Sequence, residues 1–203
     1  MDFYFTIDTA GVAEYKDRGS KFLAYTFPIK SKENFKKHLQ ALRKEHPKAV
    51  HHCYAYRVGY DGNNYRLSDD GEPSGTAGKQ ILGQIDSANL SDILVIVVRY
   101  FGGTLLGIPG LINAYKTVTA LALQCSLVIQ KPIEINYIVQ FNYAEMNDIM
   151  LIMKKYNCTI YKNEIQLFCK IEAGIAKFRL AEVLYALENI QNVGIQKAEG
   201  TSN

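Results

Sequence analysis

The chain has 203 residues, 48% hydrophobic and 21% charged, which is enough to bury a core and too apolar for a disordered polyelectrolyte. Net charge is only +3, excluding a strongly basic nucleic-acid tail, and residues 1–131 hold 16 Lys+Arg against 12 Asp+Glu while residues 132–203 hold 7 against 8. Four scattered cysteines without a CxxC pair, a start at Met1-Asp2-Phe3-Tyr4 with neither the basic region nor the apolar core of a signal peptide, and no bilayer-length apolar run set the expectation of a cytoplasmic protein without membrane contact.

Along the chain, Phe3–Ile7 is rich in strand formers, Glu14–Phe22 contains a polar turn at Gly19-Ser20, and an apolar strand runs from Phe22 to Ile29. Arg18 and Lys21 flank that turn, which reads as a solvated hairpin whose two cations could also touch a phosphate. Ser31 then caps a helix reaching about Glu45, with Phe35, Leu39 and Leu42 inside and Lys36, Lys37, Arg43 and Lys44 on a wet outer face. Val50–Val58 reads as a strand, Asp61–Asn64 as a turn and Tyr65–Ser68 as the hairpin partner. Neighbours on a strand point to opposite faces, so His51 and His52 cannot share one ligand. Either is a possible acid or base, but no metal site assembles around them.

The densest information lies in Asp69–Gly110, where two glycine-rich loops each open a helix and flank the apolar run Ile93–Val98. Six apolar residues without alternation predict a strand buried on both faces. After the first loop, Ser74 is placed to cap a helix over Thr76–Ser87; after the second, Pro109 sits at the start of a helix over about Leu111–Cys125. A helix start leaves about four N–H donors unpaired, so two of them beside glycines make a plausible anion site. The candidate anion- or nucleic-acid-binding set is Asp70, Glu72, Ser74, Gly75, Thr76, Gly78 and Lys79, with Arg99, Gly102, Gly103, Thr104, Gly107 and Gly110. Lys79 in a first helical turn opposes the helix dipole by ~0.3–1 kcal/mol unless an anion binds beside it. The alternatives are that Lys79 pairs with Asp69, Asp70 or Glu72, and that the glycines serve tight packing only. The spacings match neither a P-loop, nor a dinucleotide fingerprint, nor a calcium loop, and no cofactor is expected.

Gln130-Lys131-Pro132 reads as a linker between a domain over residues 1–130 and a second over residues 131–203. Beyond it, strand residues Ile133–Phe141 alternate, Met146–Met153 is helical, Cys158–Tyr161 and Ile165–Ile171 flank a turn at Lys162-Asn163, Phe178–Leu187 is helical and Val193–Lys197 closes as a strand. That order, βαββαβ, is the ferredoxin-like plan.

Asp69-Asp70-Gly71-Glu72-Pro73-Ser74-Gly75-Thr76-Ala77-Gly78 and Val97-Val98-Arg99-Tyr100-Phe101-Gly102-Gly103, followed by Leu106-Gly107 and Gly110-Leu111, resemble the IMPACT family in its bacterial YigZ-like branch. Arg18–Phe22 and His51-His52-Cys53 extend the resemblance over most of residues 14–120, whereas Pro109 and Asn113 stand where the family commonly has glycine and arginine. The resemblance implies an α+β protein: an N-terminal mixed-sheet α/β domain similar to the fourth domain of elongation factor G, and a C-terminal domain similar to the fifth. Eukaryotic relatives look like translation regulators that bind a protein partner; no catalytic residues carry over. The expected function is a translation-associated regulatory or binding protein contacting RNA or a ribosome-associated partner through the anion-binding cleft. The alternative is a hydrolase using Asp69, Asp70 and Glu72 with His51 or His52.

Overall fold

Residues 1–166 and 168–198 are described by a computed structural model, whose first elements are β1 (Phe3–Ile7), β2 (Val12–Asp17), β3 (Ser20–Pro28), α1 (Lys32–Glu45), β4 (His51–Val58) and β5 (Asn64–Ser68). They continue as α2 (Gly78–Ser87), β6 (Ile93–Tyr100), α3 (Gly107–Gln124) and β7 (Val128–Pro132). Two units are separable: Tyr4–Lys131, and Met1–Phe3 joined with the chain from Pro132 on. The segment Gln130–Pro132, expected as the linker, is the end of β7, which pairs with β1, and the division between the units falls between Lys131 and Pro132.

The first unit is built on a five-stranded sheet in the order β2-β3-β6-β4-β5. Its four pairings are all antiparallel, which corrects the expected mixed sheet. Strand β6 is apolar on both sides because helices cover both faces, not because its neighbours run parallel to it. On one face Phe35 and Leu42 of α1 pack with Leu94, Ile96, Val98, Tyr54 and Tyr56. On the other, Ile81 and Ile85 of α2 and Leu111, Tyr115 and Val118 of α3 pack with Val95, Val97, Cys53 and Phe22. Each large aliphatic side chain buried this way contributes about 1.5–3 kcal/mol.

Strand register decides which side chains meet at the end of this sheet. Arg99 at the end of β6 lies opposite Phe22 of β3 on one side and His51 of β4 on the other. Directly paired residues share a face, so the row Phe22–Arg99–His51 points toward α2 and α3. His52, one residue on, points toward α1.

In the second unit, β8 (Glu134–Asn142), α4 (Met146–Lys155), β9 (Thr159–Glu164), β10 (Phe168–Ala176), α5 (Leu180–Glu188) and β11 (Gly194–Lys197) form a four-stranded antiparallel sheet in the order β11-β8-β10-β9. Val139, Phe141, Ile171 and Ile175 of the sheet share one core with Ile149, Met153, Val183 and Leu187 of the helices. Lys162-Asn163 lies within β9, not in a turn, because an exposed edge strand accepts polar residues on both sides. Leu167, inside the strand expected over Ile165–Ile171, and residues 199–203 lie outside the described residues.

Helix α3 begins at Gly107, four residues before the expected start, so Pro109 sits inside its first turn, where no N–H is needed. The preceding loop is held by a backbone contact: a Cβ on Gly102 would stand 1.8 Å from the Gly19 carbonyl carbon and 2.1 Å from the Ser20 nitrogen. Gly102→Ala is therefore expected to lower stability in urea unfolding by at least about 1–3 kcal/mol. Gly83→Ala in α2, where an added Cβ meets nothing within 4 Å, should instead be neutral or stabilising by up to ~1 kcal/mol.

Candidate functional site

The first glycine loop supplies its own anion. Asp69 Oδ1 accepts from the backbone N–H of Ala77 at 3.0 Å and of Gly78 at 2.8 Å, and Oδ2 accepts from Gly75 at 2.9 Å. These are the donors expected to be free for a guest, so the α2 half of the anticipated anion site is already occupied. Ser74 is exposed and does not cap the helix, which starts at Gly78 after Ala77; the capping oxygen comes from nine residues upstream. Thr76 turns its hydroxyl to the Pro73 carbonyl at 2.7 Å. Lys79 is exposed and, among the described residues, makes no ion pair, so its expected pairing with Asp69, Asp70 or Glu72 is absent.

Asp70 is similarly engaged. Its Oδ1 accepts from Arg43 of α1 at 2.9 Å and its Oδ2 from the His52 backbone N–H at 2.7 Å. Its own backbone adopts the left-handed region at φ 44°, which presents its carbonyl to His51 Nδ1 at 2.7 Å. A carbonyl only accepts, so Nδ1 carries the proton, and in the neutral ring Nε2 is left as an acceptor. That nitrogen lies 4.0 Å from Glu72 Oε1.

Glu72 is the hub. Its side chain is 3% exposed, and Oε1 accepts from Arg99 Nη1 at 2.5 Å and from the Tyr115 hydroxyl at 2.9 Å. The Cys53 sulfur lies 3.3 Å from that hydroxyl and 2.9 Å from the Asp69 carbonyl oxygen. Burial, with Cys53 and Glu72 as neighbours, raises the Tyr115 hydroxyl far above its usual range; burial likewise raises the Cys53 thiol, against a smaller opposing effect from Tyr115. Both therefore stay protonated at neutral pH and act as donors in the network. Arg99, 5% exposed, sits with its guanidinium carbon 5.4 Å from the Phe22 ring and 5.7 Å from the Phe101 ring.

This geometry corrects two expectations. Arg99 is not a free phosphate ligand, because its charge is answered by Glu72 inside the protein. The acidic loop is not a metal or acid–base cluster: Asp69, Asp70 and Glu72 point to three separate sets of partners, and no metal-holding group of His, Cys, Asp and Glu forms among the described residues. His52 faces the α1 side, where burial lowers its pKa and its Nε2 has no hydrogen-bond partner among the described residues. The hydrolase reading loses its machinery.

Arg99 also ties the two loops together. Its Nη2 reaches Ser20 Oγ at 3.5 Å, and that oxygen accepts from the Gly102 N–H at 3.2 Å. The second loop differs in kind from the first. Gly102, Gly103, Thr104 and Gly107 are exposed, as are Phe101 at 47%, Leu105 at 81% and Ile108 at 58%. The start of α3 has no side-chain cap and no acidic residue in its first turn. Beside it Arg18 Nη2 donates to the Leu106 carbonyl at 3.2 Å, and a Cβ on Gly110 would stand 3.1 Å from that same nitrogen.

Sequence reasoning missed Asp69 as the cap, together with Tyr115, Cys53 and Ser20 as network members. Tyr115 lay in the buried stripe of a helix, and a buried tyrosine hydroxyl needs a partner; that was the available signal. Asp69→Ala is expected to cost about 1–2 kcal/mol in chemical unfolding through loss of the cap, with Asp69→Asn recovering part. Arg99→Ala leaves Glu72 buried without its cation and should cost about 3–5 kcal/mol, while Glu72→Gln combined with Arg99→Met should cost clearly less. Equal losses in the single and double variants would contradict the pairing.

The family model described as the Impact N-terminal domain matches residues 18–123. The "IMPACT family member YigZ" of Escherichia coli is 32% identical over 183 residues, covering 89% of this chain and 88% of that protein. The "IMPACT family member in pol 5'region" of Thermus thermophilus is 48% identical over 105 residues, 52% of this chain and 55% of that protein. A solved structure described only as a hypothetical protein is 28% identical, covers 98% of both chains and superposes with a TM-score of 0.80. The matched region contains both glycine loops and the Glu72–Arg99–Tyr115 network, and the chain belongs to the IMPACT family.

Proposed function

We propose that the chain is a cytoplasmic, translation-associated regulatory protein that acts by binding, and that it contacts RNA or a ribosome-associated protein through the open loop Gly102–Gly110 with Arg18. Translation enters through the family: eukaryotic members, as the resemblance implies, regulate translation by binding a partner. The location rests on a single contrast between the two helix starts. The amides before α2 are filled by Asp69, whereas α3 starts without a side-chain cap or an acidic residue in its first turn, beside Arg18, whose half-exposed side chain also lies 3.5 Å from Asp17. Of the thirteen candidate residues, Gly102, Gly103, Thr104, Gly107 and Gly110 retain an accessible role in this reading. Asp70, Glu72, Gly75, Thr76, Gly78 and Arg99 hold the scaffold, and Ser74 and Lys79 lie exposed beside an occupied helix start.

The finer architecture belongs to the same proposal. The strand order β11-β8-β10-β9 with the sequence βαββαβ supports a ferredoxin-like second domain over residues 131–203. The family resemblance supports likening the domain over residues 1–130 to the fourth domain of elongation factor G. No helix among the described residues is long and apolar enough to cross a membrane.

Co-sedimentation with ribosomes tests the surface. Arg18→Ala and Leu105→Ser should each weaken association about tenfold or more, the scale of one lost charged hydrogen bond or apolar anchor. Lys79→Ala should stay near wild type. Association that falls with Lys79→Ala and ignores Arg18→Ala would move the contact back to the first loop.

A further inference from the structure

Helix α1 carries charge that neither the fold nor the loop uses. Its buried side is Phe35 and Leu42, with Leu39 packed beside them against the sheet. The opposite side and its two flanks expose Lys30, Lys36, Lys37, Lys44 and Lys48, and none of the five makes an ion pair among the described residues. Three arginines of this unit are committed, Arg43 to Asp70, Arg57 to Asp86 and Arg99 to Glu72. Two carboxylates share the helix. Glu33 has its own interaction, and Glu45 lies 3.7 Å from His46. Lys37 and Lys44 are seven residues apart, two helical turns, so they stand in one line about 10 Å apart on the outward face.

We infer that this face is an RNA-backbone surface, which takes the phosphates of a structured RNA by charge alone. The inference rests on reading the chain as a translation-associated binding protein, but not on the loop proposed above, because α1 covers the opposite face of the sheet from α2 and α3. Charge complementarity selects the occupant. A lipid surface needs an apolar face to enter it, and the apolar residues of α1 are buried in the sheet. Protein interfaces concentrate their affinity on buried aromatic, apolar or arginine anchors at their centre, and among the described residues no large exposed hydrophobic lies between Lys30 and Lys48, where the arginine, Arg43, is paired with Asp70. A phosphate backbone needs only spaced cations, and it releases counterions as it meets them.

The test is fluorescence anisotropy with a labelled double-stranded RNA, titrated between about 50 and 200 mM salt. The wild-type chain should bind at low salt and weaken steeply as salt rises. The variant Lys37→Gln/Lys44→Gln/Lys48→Gln should lose at least about tenfold at low salt, and its log–log salt slope should fall by roughly one per lysine removed. Lys154→Gln/Lys155→Gln/Lys197→Gln, an equal charge change in the other unit, should stay within about twofold. Ribosome co-sedimentation of the wild-type chain and of Arg18→Ala is read alongside, so that failure of the loop surface is distinguished from failure of this one. Absence of wild-type binding at low salt, equal losses in both triple variants, an unchanged slope, or the same lysine dependence on anionic phospholipid vesicles in place of RNA would overturn the inference.

Discussion

A carboxylate that has found its partner inside the protein is the constraint on which this fold and its site depend. Within four residues, Asp69, Asp70 and Glu72 reach five different elements. Asp69 closes the start of α2, Asp70 joins α1 to β4, and Glu72 joins β6 to α3. Because α1 lies on one face of the sheet and α2 with α3 on the other, this short loop fastens both layers at one end of the strands. Its acidity serves structure: each negative charge meets a cation or a cluster of amide donors.

Glu72–Arg99 is the costliest of these arrangements to build, since both charges leave water. It is held in place by more than Coulomb attraction. Tyr115 donates to the same carboxylate oxygen, Phe22 and Phe101 flank the guanidinium, and the register sets Arg99 opposite Phe22 and His51. Through Ser20 the same guanidinium reaches the backbone of Gly102, so the rigid first loop positions the exposed second one. On the proposed reading, a binding loop mounted on such a support holds its shape before a partner arrives, which reduces the ordering cost of association.

Much of this architecture could be read from the chain, and what could not has physical reasons. The apolar run Ile93–Val98 announced a strand covered on both faces, and Phe35, Leu39 and Leu42 announced the buried side of α1. The same run could not reveal that its neighbours are antiparallel, since burial on two faces looks alike in either case. Alternation correctly separated His51 from His52. Ser31 caps α1 as expected, but the cap of α2 was misassigned because the same local rule, a serine just before a helix, was outcompeted by a carboxylate nine residues upstream of Gly78 that only the folded turn brings near. Arg99 and Lys79 looked alike as cations beside glycines, but burial distinguishes them: one is enclosed with Glu72, the other stands in water. The basic face of α1 was legible from the first, yet nothing in the sequence said which of its cations would remain unpaired.

The central claim, that the first glycine loop is occupied by its own carboxylate, is tested most directly by a two-dimensional amide NMR titration with inorganic phosphate. The Gly75, Ala77 and Gly78 resonances should stay in place in the wild-type chain and respond in Asp69→Asn, where the anion is removed and the amides keep only a neutral partner. Phosphate-dependent shifts at those three amides in the wild-type chain would contradict the account.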